Sequence, residues 1–260
     1  MKRLLIIGTG LAIGVAAVLG VLQPWKKPTN PLSPAASPAP VAPYDRLAEA
    51  RDRIDAGRLE AARELLRAEI QENPRSARAH ALLALAQIRA GDRSAAQTLL
   101  GRAAEYDPEL FEVPLFQGHL DMTTGDHASA RRSYTEALKR RPGNAQALAG
   151  RAAARFELRE AAGAIEDSTA ALAADPTEHE ALFTRAAAFG ALGKWEDSIR
   201  DWTAYLARKS SDAQAWKNRG NANRRLGRAS AAVADWKQAL KLDASLSEQL
   251  DPLITEAEQR

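Results

Sequence analysis

The sequence predicts an all-α solenoid of six helix–turn–helix units closed by a C-terminal capping helix. Three observations predict it. Pro74, Pro108, Pro142 and Pro176 recur every 34 residues without slippage, and the same step reaches Ser210 and Ala244. Two columns of small residues keep that phase: Ala62, Ala96, Ala130, Ala164, Ser198, Ala232, and Ala50, Ala84, Gly118, Ala152, Ala186, Gly220. A third column holds Gly57, Gly91, Gly125, Gly193 and Gly227, with Arg159 the one exception. A fixed period of this length marks a stacked repeat array, and arrays bind more often than they transform.

In chain order, residues 1–23 come first. Leu4 to Leu22 carry no charge and follow Lys2 and Arg3. At about 1.5 Å per residue such a run just spans a hydrocarbon core of about 30 Å, so a transmembrane anchor is expected. Val18-Leu19-Gly20 makes a mediocre small-x-small site, which leaves a cleaved signal as the alternative. Lys2 and Arg3 are balanced by Lys26 and Lys27, so the positive-inside count is a tie. The near absence of a preceding tail favours export of the repeats. Residues 24–42 include PLSPAASPAPVAP, a composition that favours polyproline II and a semi-rigid spacer of roughly 60 Å.

The six units are expected at 43–76, 77–110, 111–144, 145–178, 179–212 and 213–246. The last shows their logic. Ala213 to Leu226 place Trp216, Gly220 and Asn223 at helical spacing, and Gly227 suits a left-handed C-cap. A second stripe follows at Ala232, Val233, Trp236, Ala239 and Leu240. The small columns mark where paired helices cross, since only Gly, Ala or Ser lets two backbones approach closely. The closing proline cannot continue a helix interior but suits the next connection. In residues 247–260, Leu250, Leu253, Ile254 and Ala257 form one apolar face of a charged cap, expected to start late with Asp251 as N-cap and Pro252 in the first turn.

Units four to six carry Arg151, Arg185 and Arg219, each followed sixteen residues later by Asp167, Asp201 and Asp235. Units one to three have Glu49/Leu65, Leu83/Leu99 and Gln117/Ser133 in those places. Partly buried Arg–Asp pairs between first and second helices are expected in units four to six only.

These columns resemble the tetratricopeptide repeat family over residues 43–246, most closely in Ala181–Ser210 and Ala215–Ala244. The early units depart from it, with Arg46, His80 and Pro114 where later ones have Leu182 and Trp216. The resemblance implies a right-handed superhelix whose first helices line a concave groove for a protein or peptide. Carried over place by place, the groove residues are Leu85, Leu115, His119, Met122, Phe156, Phe183, Lys217, Asn221, Arg224 and Arg225, with Leu47, Arg51, Ile54, Ala81, Ile88, Ala149, Ala153 and Ala187 between them. The face grades from apolar to basic, suiting a peptide with an apolar stretch and an acidic end. The competing reading is that the early apolar residues pack the loosely matching units. Lys217 and Asn221 match the first pair of a chaperone-carboxylate clamp found in one subgroup, but no further repeats follow to complete it.

The net charge of +3 does not mark a nucleic-acid binder. All 33 acidic residues lie after residue 44, while four of the 36 basic ones lie before it, so the repeats are close to neutral. Unit six is locally basic and the terminal segment acidic, which anticipates mutual neutralisation. His80, His119, His127 and His179 lack metal-ligand spacing, and no phosphate loop, nucleophile elbow or cysteine appears. The expectation is therefore no enzyme and no cofactor. It is a protein-binding scaffold at a bacterial inner membrane with periplasmic repeats, or a soluble periplasmic one if the signal is cleaved. Envelope complex assembly fits that placement. Self-association and an accessory role beside an enzyme are the alternatives.

Overall fold

A computed structural model describes residues 45–259; the expected anchor and spacer lie outside them. Thirteen α-helices follow one another in that span, with no strand. Unit one holds α1 (Arg46–Asp55) and α2 (Leu59–Glu72), and unit two α3 (Ala77–Ala90) and α4 (Arg93–Tyr106). Unit three holds α5 (Glu112–Thr124) and α6 (His127–Arg140), and unit four α7 (Ala145–Glu157) and α8 (Ala161–Ala174). Unit five holds α9 (His179–Ala191) and α10 (Trp195–Leu206), and unit six α11 (Ala213–Arg225) and α12 (Ala229–Leu242). A 3₁₀ turn, Ala244–Leu246, leads into the capping helix α13 (Ser247–Glu258).

The turn inside each unit repeats one backbone device. One or two residues after the first helix comes a left-handed residue, and the next amide reaches back five residues, as in Arg58 N–H to Arg53 O and Asp92 N–H to Gln87 O, at 2.8 and 2.9 Å. Glycine supplies the positive φ in five units, and Arg159, at φ 66°, supplies it in the sixth. Its neighbour Glu160 still donates to Arg155 O at 2.8 Å. The motif is thus kept at the cost of a Cβ in the left-handed region.

The small columns are fully buried and sit where helices cross. Sixteen residues after each member of the second column come Leu66, Leu100, Tyr134, Ser168, Trp202 and Trp236, and the rings of Tyr134 and Trp236 lie directly on their column partners Gly118 and Gly220. Where the later residue is an aromatic ring, the small partner can be glycine. A Cβ on Gly220 would lie 2.6 Å from the Trp236 ring, and one on Gly118 2.7 Å from Tyr134. Tyr134 also lies against Gly150 of the next unit, closer still.

The Arg–Asp pairs form as expected. Arg151 clasps Asp167 at 2.8 and 2.7 Å, Arg185 clasps Asp201 at 2.7 and 2.9 Å, and Arg219 clasps Asp235 at 2.9 and 2.6 Å, each through Nε and a terminal nitrogen. The carboxylates are buried, and such bidentate forks are the strong form of the ion pair. Arg185 and Arg219 also reach the preceding unit, donating to the hydroxyls of Thr169 and Thr203 at 3.2 Å.

The cap departs from expectation at its start. α13 begins at Ser247, so Pro252 lies inside it. Leu246, Leu250 and Ile254 all bury against α12, and this stripe of contact favours starting the helix before the proline. Lys237 pairs with Glu258 at 2.6 Å and Arg224 with Glu256 at 3.2 Å, so the acidic cap neutralises part of unit six. Among the described residues no helix is long and apolar enough to cross a membrane.

Candidate functional site

Consecutive first helices touch one another, α1 with α3, α3 with α5, α5 with α7, α7 with α9 and α9 with α11, whereas consecutive second helices do not. The array therefore curves with its first helices on the concave side. Along that face the ten expected groove residues fall into three groups.

The N-terminal group is largely core. Leu85 and Leu115 are 2% and 1% exposed, and Ile54, Ala81, Ile88 and Ala149 are buried too, so they pack the early units and leave no side chain to line a groove. Met122 packs half-buried against the same core. The concave side also closes here, because Arg51 of α1 reaches across to Gln146 of α7 at 3.0 Å and lies 5.9 Å from the Phe116 ring centre. His119 sits half-buried in this closure between Phe116 and Tyr134, with ring centres 6.0 and 5.7 Å away. Burial, and then the charges of Arg51 and Arg89, lower its pKa to about 4. It is therefore a neutral, packed imidazole at physiological pH.

The C-terminal group is engaged by neighbours. Lys217 donates to Gln249 of the cap at 3.3 Å, and Arg224 pairs with Glu256. Asn221 accepts from Trp236 Nε1 at 3.1 Å, and Arg225 stacks on Trp195 at 5.7 Å. The cap and the second helices thus hold the basic end of the face, as the opposite charges of unit six and the terminal segment anticipated, so its groove residues are engaged within the chain.

The middle group remains open. Phe156 and Phe183 line a cavity of about 240 Å³ between α7 and α9, floored by Ala153, Thr184 and Tyr205 and rimmed by Glu157, His179 and Glu180. Phe183 is held edge-on to Trp202 and Tyr205, at 4.8 and 5.4 Å. The Tyr205 hydroxyl donates to Asp212 at 2.8 Å, and burial followed by that bond raises its pKa, so it stays a neutral donor. Burial, and then the neighbouring Glu180, raises the Glu178 carboxyl above its ordinary value. The arrangement can take an apolar or aromatic side chain and prefers positive charge beside it. Tyr205 lies on a second helix, so no first-helix pattern could have assigned it to the groove.

Tetratricopeptide repeat profiles match residues 53–113 and, with a second profile, residues 117–179 and 183–246. The chain belongs to the tetratricopeptide repeat family. Repeat arrays of this kind are scaffolds for protein–protein interaction. No curated protein matches the chain. Among solved structures it is similar to a chain of the APC/C hetero-tetramer Cut9–Hcn1, at 15% identity and TM-score 0.72, over 82% of this chain but only 42% of that one. It is similar to pilF of Pseudomonas aeruginosa at 15% identity and TM-score 0.62, covering 82% of this chain and 95% of that one. YrrB, described as a TPR protein with an unusual peptide-binding site, aligns at 15% identity and TM-score 0.57 over 75% of this chain and 98% of its own. These likenesses are of fold.

Proposed function

We propose that the protein is a membrane-tethered scaffold. It holds a segment of a partner protein on the concave face of units four and five and serves assembly of a complex in a bacterial envelope. The observation that carries the binding site is the Phe156–Phe183 cavity, the open apolar place between a closed N-terminal stretch and a capped C-terminal one. Its acidic rim favours a segment that brings an apolar side chain next to a lysine or arginine, a revision of the acidic-ended peptide the sequence suggested. The tether rests on the uncharged run Leu4–Leu22.

In-cell photocrosslinking tests the site, with a photoreactive residue at Phe156 of the full chain and at buried Leu85 as control. One recurrent heterologous partner is expected from Phe156 alone, lost when exposed Glu157 and Glu180 are changed together to Lys. Capture that survives this change, or capture of the protein's own copies only, overturns the reading.

A further inference from the structure

A groove of about 790 Å³ lies on the opposite, convex side, between α4 and α6 and floored by the start of α5. Three truncated side chains make it. Gly101 occupies a place held elsewhere by Arg67, Thr135, Thr169, Thr203 and Lys237. Ala104 stands where the other units have Ile70, Leu138, Leu172, Leu206 and Leu240. Pro114 replaces the leucine or tryptophan of later units. In units five and six an arginine bridges to a threonine at the equivalent of Gly101, whereas here the pair is Gln117 and Gly101, and Gln117 instead meets Gln97 one turn earlier at 3.2 Å, leaving the place at Gly101 open.

Gly101 is not explained by the fold. It lies inside α4 without a positive φ, and a Cβ there would meet nothing within 4 Å. Gly118, Gly150 and Gly220, in contrast, each abut a ring. A glycine inside a helix costs roughly 1 kcal/mol relative to alanine, and no close neighbour offsets that cost here. Four lining side chains are basic, Arg131, Arg132, Lys139 and Arg140, against the single acid Glu136. Arg131 is paired with Glu160, Lys139 and Arg140 share Glu136 at 2.9 and 3.7 Å, and Arg140 also donates to Leu110 O while its buried Nε has no hydrogen-bond partner. Arg132 and Lys139 are exposed at the rim.

We propose that this groove docks an acidic peptide segment of a partner protein, with an apolar side chain laid over Gly101 and Ala104 and carboxylates reaching Arg132, Lys139 and Arg140. The apolar floor of Leu100, Ala104 and Val113 favours a peptide over a nucleic acid, and no aromatic side chain lines the groove for bases to stack on. The site is independent of the concave cavity.

Fluorescence anisotropy on the full chain tests it. The probe is a fluorescein-labelled dodecapeptide repeating two glutamates and one leucine; an all-glutamate peptide, a lysine–leucine peptide and a single-stranded oligonucleotide are comparators. Saturable binding of the glutamate–leucine peptide alone is expected. It should weaken at least about tenfold in Gly101→Phe and in the double variant Arg132→Glu/Lys139→Glu. Gly101→Ala should still bind, and all variants should keep their helical circular dichroism. The double variant changes only exposed rim residues, so it answers even if the phenylalanine disturbs α4. Binding that is indifferent to that double variant, equal binding of the oligonucleotide, or no binding of the glutamate–leucine peptide overturns the proposal.

Discussion

Units four to six and units one to three are built on the same 34-residue plan and held together differently. The C-terminal half repeats its contacts. Three arginines clasp three buried aspartates, and two of them bridge to the unit before. The N-terminal half has no such ladder; its first helices bury broad apolar faces, and single long-range contacts such as Arg51–Gln146 close it. A periodic contact stabilises every junction alike, whereas singular contacts allow one junction to differ. The truncated groove at Gly101 lies in the half that lacks the ladder.

Breaking the ladder gives the largest expected effect. Arg185→Ala strands the buried Asp201 carboxylate and should destabilise the protein by about 3–5 kcal/mol, more than the double variant Arg185→Ala/Asp201→Ala. Urea unfolding of the four proteins of that cycle measures it, and additivity would refute a coupled pair. In the N-terminal half, the sensitive group is His119. Its folded pKa, about 4, lies below the ordinary 6.5, so the unfolded chain binds the proton more readily. Stability should therefore be unaffected above about pH 6.5 and fall by a few kcal/mol as pH drops toward 4. Melting temperatures across that range should decline less steeply in His119→Gln, and parallel curves would show that the imidazole is not the acid-labile group. The smallest effect concerns the turn that both halves share. Arg159→Gly should relieve the left-handed Cβ and stabilise the protein by about 1 kcal/mol, whereas Gly193→Arg should cost a similar amount. Equal melting temperatures for wild type and Arg159→Gly would place the strain elsewhere.

The repeat, its turns and its ion pairs were legible in the sequence because each depends on contacts at fixed offsets. The sixteen-residue step from Arg185 to Asp201 is the distance from a first helix to its own second helix, so it appears in the chain as a column. The groove was less legible. Whether Leu85 faces solvent or core depends on how tightly the early first helices close, and Arg51 meets Gln146 across 95 residues, an offset no column contains. The cap's grip on Arg224 was half legible, since opposite charge between unit six and the terminal segment is compositional, while the pairing itself depends on how α13 docks. Pro252 misled for a related reason. Local preference puts a proline in the first turn, but burial of Leu246 and Leu250 favours an earlier start.

The Tyr134 ring rests on glycines of two different units, Gly118 of its own and Gly150 of the next. Units three and four are consequently not free modules for splicing. Excising residues 111–144 would keep the 34-residue phase intact, yet Leu100 would then take the ring's place opposite Gly150. A leucine cannot fill a space shaped for a phenol, and the new junction would carry a void that no change in register could close. Recombination that shortens this array is therefore cheaper at a junction where no ring is shared than at the boundary between its third and fourth repeats.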